Sequence, residues 1–262
     1  MRLGGICYAT LTVQAGKPMT VKEMGPVWKS VQMSLEIKRA VRMLCAEAAM
    51  RTGIIDRIFG RTILSGHDSM FSPRQLIFFT QCLEETRHVA GCCVEVGCAY
   101  GQTTVFLRKF MEESGITKDY YAIDTFSGFV PEHADYEVDR RNKDRLGLAR
   151  TFATNKKKWF DFWLRGSGIH SVVSFECDAT KFDFDRIGPI AFALLDVDLY
   201  LPMIDILPKV YRNLSAGGII LVDDCMPDGP WDGSLAAYVE FASHTGIERE
   251  IVLNKIGVIR KP

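Results

Sequence analysis

Between Cys92 and Val222 short apolar runs alternate with longer stretches of helical periodicity, and this alternation restricts the fold more than any other feature of the chain. The runs Cys92–Val96, Tyr120–Ile123, Val172–Phe175, Ile190–Leu195 and Gly218–Val222 have the length and composition of strands buried on both faces. Thr103–Glu113, Lys143–Leu164 and Pro202–Leu214 lie between them and read as helices. Strands separated by helices return parallel to one another, so the expected class is α/β, a doubly wound and mostly parallel sheet. Further on, Leu235–His244 reads as a helix, and Glu250–Leu253 and Lys255–Ile259 read as two strands turning at Asn254, a hairpin that brings the strand total to seven.

Upstream, apolar residues from Val31 to Arg51 recur near a 3.6-residue period, predicting a helix closed by Gly53. A second helix is expected from Ser72, a cap, and Pro73, in the first turn, to about His88. Residues 1–89 are therefore expected to form a helical extension to a domain spanning 90–262. The apolar stripe of the first helix is too wide for a free surface, so it should pack on that domain or on a second copy, and a homodimer is expected. The 32 basic and 32 acidic side chains cancel, which disfavours nucleic acid as a partner. The longest apolar runs, such as Pro189–Leu195, fall far short of the roughly 20 residues that span a bilayer, so no membrane partner is expected. Eight cysteines form no C-x-x-C pair and should be reduced thiols packed as small hydrophobes. Residues 1–15 have the outline of an export signal, with Arg2, an apolar stretch Leu3–Val13 and a small-residue site at Val13-Gln14-Ala15. Thr10, Thr12 and the single charge argue against it, and a cytoplasmic location is expected.

The first strand runs into Val94-Glu95-Val96-Gly97-Cys98-Ala99-Tyr100-Gly101-Gln102-Thr103, directly before a helix. In a doubly wound sheet ligands bind at this carboxyl end. Gly97 and Gly101 are spaced G-x-x-x-G, without the tight pyrophosphate turn of a dinucleotide site. Glu95 suits an ammonium group, and the helix N-terminus with Thr103 suits a carboxylate, so an amino-acid zwitterion fits both. Asp124 closes the second strand where an acid can accept from ribose hydroxyls, and Asp178, after the third, stands where an adenine amino group could be read. At the ends of the fourth and fifth strands stand Asp196 and Asp198, then Asp223 and Asp224. Adjacent parallel strands would bring Asp196, Asp223 and Asp224 together, and three ionised carboxylates that close need a counter-charge. Oxygen-only ligands point to Mg, with Mn or Ca as alternatives; capping and solvated-loop roles for the same acids remain open.

In order, these elements resemble the class I methyltransferases, whose S-adenosylmethionine loop reads like Val94 to Gly101, with Tyr100 in it, and whose next strand ends in an acid as at Asp124. The resemblance covers about residues 90–262 and implies a Rossmann-like, seven-stranded sheet with an antiparallel last strand. Asp196-x-Asp198-Leu199-Tyr200, then Gly217-Gly218 and Asp223-Asp224, together with Ile123-Asp124-Thr125-Phe126-Ser127-Gly128-Phe129, are similar to the macrocin O-methyltransferase (TylF-like) family. That similarity implies methyl transfer to a sugar or glycoside hydroxyl, with Asp196, Asp223 and Asp224 as metal ligands. Catechol-type enzymes carry a lysine base three residues after the first metal aspartate; here Leu199 stands there. Asp198, on the same strand face as Asp196 if the strand continues, is the first candidate base and His133 the second. Residues 126–168 are expected to form a lid insert over the acceptor, with Trp159, Phe160 and Trp163 as stacking faces, and Trp231 is near enough to touch it. Two other readings stay open: a catechol or phenol O-methyltransferase of similar architecture, and a non-catalytic nucleoside-binding module.

Overall fold

The computed structural model describes residues 70–262 except 154, 228 and 230; the helix expected at Val31–Arg51 lies outside these. Helix α1 (Pro73–Glu85) opens with a reciprocal cap: Gln75 N donates to Ser72 Oγ at 3.3 Å and Ser72 N donates to Gln75 Oε1 at 2.7 Å. Then follow β1 (Cys92–Val96), α2 (Gln102–Glu113), β2 (Tyr120–Asp124), α3 (Pro131–Arg141), α4 (Arg145–Arg150), α5 (Lys157–Gly166) and β3 (Val172–Glu176). The chain continues through β4 (Ile190–Leu195), α6 (Tyr200–Asn213), β5 (Leu214–Val222), α7 (Gly233–Thr245), β6 (Glu250–Val252) and β7 (Ile256–Arg260). The sheet has seven strands in the order β3-β2-β1-β4-β5-β7-β6. Strands β3 to β5 pair in parallel, while β7 is antiparallel to both β5 and β6. The strand order reverses direction between β1 and β4, and in such sheets that switch point opens a crevice at the carboxyl ends.

Side-chain alternation divides the core. Val94 and Val96 of β1, Ala193 and Leu195 of β4 and Ile220 and Val222 of β5 pack with Met203, Ile206, Leu207 and Val210 of α6 and Ala237, Tyr238 and Phe241 of α7. Cys93, Phe192, Leu194, Ile219 and Leu221 project to the other face, against Phe79, Cys82 and Leu83 of α1 and Leu107 and Met111 of α2. Both faces are covered, which explains why every residue of β1 and β4 is buried and why these strands read as unbroken apolar runs.

The stretch expected as one helix over 143–164 is broken. Asp144 accepts from Leu146 N and Gly147 N and starts α4, but Thr151 turns extended at ψ 126° and Phe152 is left-handed at φ 55°, so α4 ends at Arg150 and α5 begins only at Lys157. Helix α5 differs from expectation in role as well. Trp159 and Phe160 are 2% and 0% exposed, and Phe160 and Leu164 pack with Val105, Ala122 and Phe126. Phe160 also lies where a Cβ on Gly101 would fall, 2.8 Å from its ring. Phe160 thus fastens the insert to the sheet, and neither it nor the buried Trp159 is free to stack on an acceptor. The hairpin expected at Asn254 is present, with Leu253 and Asn254 at φ 53° and 56° and Lys255 N donating to Val252 O. The described cysteines, Cys82, Cys92, Cys93, Cys98, Cys177 and Cys225, are free thiols. No helix among the described residues is long and apolar enough to cross a membrane.

Candidate active site

The ladders of the sheet extend one residue past β1 and β4, and this positions the site. Gly97 N donates to Ile123 O, Asp196 N to Val96 O and Asp223 N to Leu195 O. Because Leu195 pairs with Val222, the residues after them, Asp196 and Asp223, stand side by side. The first loop crosses so close to Asp196 that a Cβ on Gly97, at φ +85°, would fall 1.7 Å from the Asp196 carbonyl oxygen; only glycine fits there. Around this crossing a cleft of about 990 Å³, its open mouth included, is lined by Gly97, Ala99, Asp124, Phe129, His133, Phe152, Asp178, Asp196, Asp198, Asp223, Asp224, Trp231 and Lys255, among others.

At one end, Asp124 accepts from Ala99 N at 2.8 Å on one oxygen and from Phe126 N at 2.6 Å on the other. Burial raises its pKa against those hydrogen bonds. The side chain thus shapes the loop while it lines the cleft. Asp178 caps the short turn Ala179–Lys181, accepting from Thr180 N and Oγ1, and pairs with Lys181 at 3.3 Å. Burial works to raise its pKa, but these partners outweigh it and hold the carboxyl low. The loop's remaining candidates are placed differently. Glu95 is 2% exposed and accepts from Thr104 Oγ1 at 2.6 Å and Tyr120 Oη at 2.7 Å. Strand alternation points it to the opposite face from Val96, which lines the cleft, so the ammonium contact expected of it is not available. Burial pushes its carboxyl up to about 7, against those two hydrogen bonds. Tyr100 and Thr103 are buried, and Gly101 lies under Phe160; none of them is among the cleft's lining residues.

At the other end four acids meet. Carboxylate oxygens of Asp196, Asp198 and Asp224 lie within 4.8 Å of one another. This set has Asp198 where Asp223 was expected, and Asp198 arrives by a turn and not by strand alternation: β4 stops at Leu195, Asp198 sits at φ 60°, and Leu199 N donates to Val197 O at 2.6 Å. Asp224 is left-handed too, at φ 57°; strain of this kind in non-glycine residues concentrates at functional sites. Asp223 turns one oxygen to Lys255 Nζ at 2.7 Å, and its other, Oδ1, is buried without a hydrogen-bond partner. Lys255 also stands 3.1 Å from Asp224. Burial and the neighbouring acids push Asp196 and Asp198 well above the carboxylate range, and Asp198 further by its hydrogen bond with Asp224. Burial and Asp224 push Asp223 up to about 6, against the pull of Lys255. Burial would lower the pKa of Lys255, yet the charges of Asp223, Asp224 and Asp196 outweigh it and raise it, which keeps the ammonium protonated.

His133, on α3, lines the cleft but not the acid cluster: the charges that act on it belong to Asp178, Glu132, Lys181 and Asp205. Burial lowers its pKa, so the imidazole is neutral at pH 7. Phe129 contacts Phe152 and Trp231, with ring centroids 6.0 Å and 5.5 Å apart, and the three form an apolar wall. Asp232 beside Trp231 pairs with Arg141 and Lys143. Sequence reasoning missed Lys255, and it missed Glu137, which is 1% exposed. Glu137 accepts from Tyr200 N at 2.7 Å, capping α6 from another helix just past Asp198, and it pairs with Arg141 at 2.9 Å. Nothing in the polar sequence around Glu137 marks it, since its partner lies 63 residues away.

Residues 7–259 match the family model described as Macrocin-O-methyltransferase (TylF). The chain belongs to the macrocin O-methyltransferase family. It is therefore an O-methyltransferase of the class I fold. It is 24% identical over 196 residues to the mycinamicin III 3''-O-methyltransferase of Micromonospora griseorubida, covering 70% of this chain and 74% of that one. It is 24% identical over 226 residues to the 8-demethyl-8-(2,3-dimethoxy-alpha-L-rhamnosyl)-tetracenomycin-C 4'-O-methyltransferase of Streptomyces olivaceus, covering 75% and 80%. Among solved structures the O-methyltransferase NovP superposes with a TM-score of 0.59 at 19% identity, over 74% of this chain and 81% of NovP. That likeness speaks to the fold.

Proposed function

We propose that this macrocin O-methyltransferase family member transfers the methyl group of S-adenosylmethionine to a hydroxyl of a sugar or glycoside, using a divalent cation, Mg first, held by its aspartate cluster. The observation that carries the reading is the convergence of acids from β4 and β5 on the same cleft that Gly97, Asp124 and Asp178 line. The two curated relatives, named as methyltransferases of sugar hydroxyls on mycinamicin III and on a rhamnosylated tetracenomycin, support the acceptor class.

The donor would lie across Gly97, with Asp124 accepting from its ribose hydroxyls and Asp178 reading the adenine amino group. The acid cluster fits a hard cation on three counts. Its donors are all oxygen; four carboxylates face a single ammonium; and Asp223 Oδ1 is buried with no partner, a state that costs free energy unless something satisfies it. Asp196 and Asp224 belong to both the set implied by family resemblance and the set within 4.8 Å, while Asp223, turned to Lys255, stands outside that set and its ligand role rests on the resemblance. Such an ion acidifies and orients an acceptor hydroxyl.

Asp198 is then the proton acceptor. It lines the cleft beside Asp196 and Asp224, and a cation held by those acids would favour the ionised carboxylate that accepts a proton. His133 is a neutral acceptor as well, but it stands toward Asp178, at the donor end, and is the second choice. Phe129, Phe152 and Trp231 would shield the reacting atoms from water and face the apolar side of a sugar ring, and 126–168 as a whole would cover the acceptor through its first part, Gly128 to Phe152. The unit 90–262 is the catalytic domain in this reading, and 1–89 an extension that pairs two copies in the cytoplasm.

A phenol acceptor is the alternative. Its lysine base is missing at Leu199, and Lys255, the ammonium that does stand among the acids, is held protonated and cannot take a proton. The test is a methyl-transfer screen against glycosides and catechols, with and without chelator, on the wild type and Asp196→Ala. Glycoside methylation abolished by chelator and by the substitution is expected; chelator-insensitive transfer overturns the cation, and transfer to catechols alone overturns the sugar.

A further inference from the structure

Lys255 is the residue in the cleft that neither the loop motif nor the acidic motif explains. Its backbone is fixed to the acid loop from behind: Cys225 N, the amide next after Asp224, donates to Lys255 O at 2.7 Å, and Lys255 N donates to Val252 O at 3.1 Å. The hairpin between β6 and β7 therefore delivers one side chain to one place. The ammonium stands 2.7 Å from Asp223 Oδ2 and 3.1 Å from Asp224 Oδ1, and 5.3 Å from the ring centroid of Phe71. Asp223 and Asp224 are each 3% exposed, so neither has bulk water to screen it.

Two physical consequences follow. The ammonium is the one positive side chain lining the cleft among the described residues, and it touches Asp223 and Asp224, so it lowers the repulsion within the cluster as its acids ionise. The same charge, touching two carboxylates that would coordinate a cation, also repels that cation and takes up oxygen lone pairs it would use. A lysine here holds the acids in place and weakens their grip at once.

We propose that Lys255 is a positioning residue, a resident counter-ion that orients Asp223 and Asp224 and sets how weakly the site holds its divalent cation. The proposal rests on the cation reading given above. It explains why an acid set of this charge can remain exchangeable: without the ammonium, four carboxylates would bind a divalent ion tightly enough to make it a permanent part of the fold.

The experiment compares wild type, Lys255→Gln and Lys255→Arg after removal of divalent ions, reading Mn2+ binding directly by the loss of free-ion EPR signal and thermal stability with and without Mg2+. Lys255→Gln is expected to bind Mn2+ about tenfold or more tightly, since one nearby positive charge is gone. It is also expected to melt lower than wild type without divalent ions and to recover most of that loss with Mg2+. Lys255→Arg, which keeps the charge, is expected to bind within about threefold of wild type. If Lys255→Gln folds only when Mg2+ is present, that is the expected result in its extreme form. If it stays unfolded with Mg2+ present, the proposal is contradicted, because a divalent charge at the same acids should replace the ammonium. Wild type binding Mn2+ while Lys255→Gln binds no tighter overturns the counter-ion role and leaves the cation reading standing; no Mn2+ binding by either protein overturns both.

Discussion

Glu95 offers a quantitative test of how the first loop is built. Its carboxyl lies under the sheet, 2% exposed, and accepts from Thr104 and Tyr120. Burial moves its pKa from 4.5 to about 7 in the folded protein. A carboxyl raised in the folded state binds its proton more tightly folded than unfolded. Its stabilising effect is therefore complete below pH 4.5 and is lost as pH rises through about 7. At 1.36 kcal/mol per pH unit, the gap from 4.5 to about 7 corresponds to a loss of about 3 kcal/mol across that window. Glu95→Gln keeps an oxygen that can accept from Thr104 and Tyr120 but does not ionise. Urea unfolding at half-unit steps from pH 4.5 to 8 should show the wild type losing about 3 kcal/mol relative to Glu95→Gln as pH rises. The acid cluster titrates in both proteins, so the difference between them isolates Glu95. Parallel stability curves would refute the reasoning, and a wild type that gains on the variant with rising pH would reverse its sign.

Other substitutions probe the cleft. Gly97→Ala puts a Cβ 1.7 Å from the Asp196 carbonyl oxygen, so the loop or Asp196 must move, and methyl transfer to a glycoside should fall by about 100-fold or more as the acids are misplaced. Asp198→Asn removes the proposed base; kcat should fall by about 10²- to 10⁴-fold with donor affinity unchanged by calorimetry, while a normal kcat would move the base to His133. Glu137→Ala leaves Tyr200 N without its partner and Arg141 with Asp232 alone, and should cost about 1 to 3 kcal/mol in urea unfolding, with Glu137→Gln recovering a good part by keeping the Tyr200 bond.

What sequence reasoning reached and what it missed divide along a physical line. Period-2 and period-3.6 patterns report burial, and β1, β4 and β5 are buried on both faces, so the sheet, its hairpin and the cleft's carboxyl-end position could be read from them. The places of Gly97, Asp124, Asp178, Asp196, Asp223 and Asp224 on the cleft were legible because each lies within two residues of a strand end whose position the pattern determines. Asp198 reached the acid cluster by a left-handed turn after β4 had stopped, which no periodicity encodes. Glu95 stood one residue from the loop, but on the wrong face of a two-sided strand. Lys255 and Glu137 act through partners 32 and 63 residues away, and only the assembled sheet brings those together. Trp159 and Phe160 looked like ligand-stacking aromatics in a charged segment, yet both are buried, and Phe160 packs with Val105 and Ala122.

The central claim is that a divalent ion and the sulfonium donor share one cleft, and proton NMR can test it on the bound donor. With S-adenosylmethionine in fast exchange on the protein, substoichiometric Mn2+ should broaden the sulfonium methyl resonance strongly in wild type, and Asp196→Ala should abolish the effect while still binding donor. A methyl line that stays sharp at Mn2+ levels shown to bind would contradict the account.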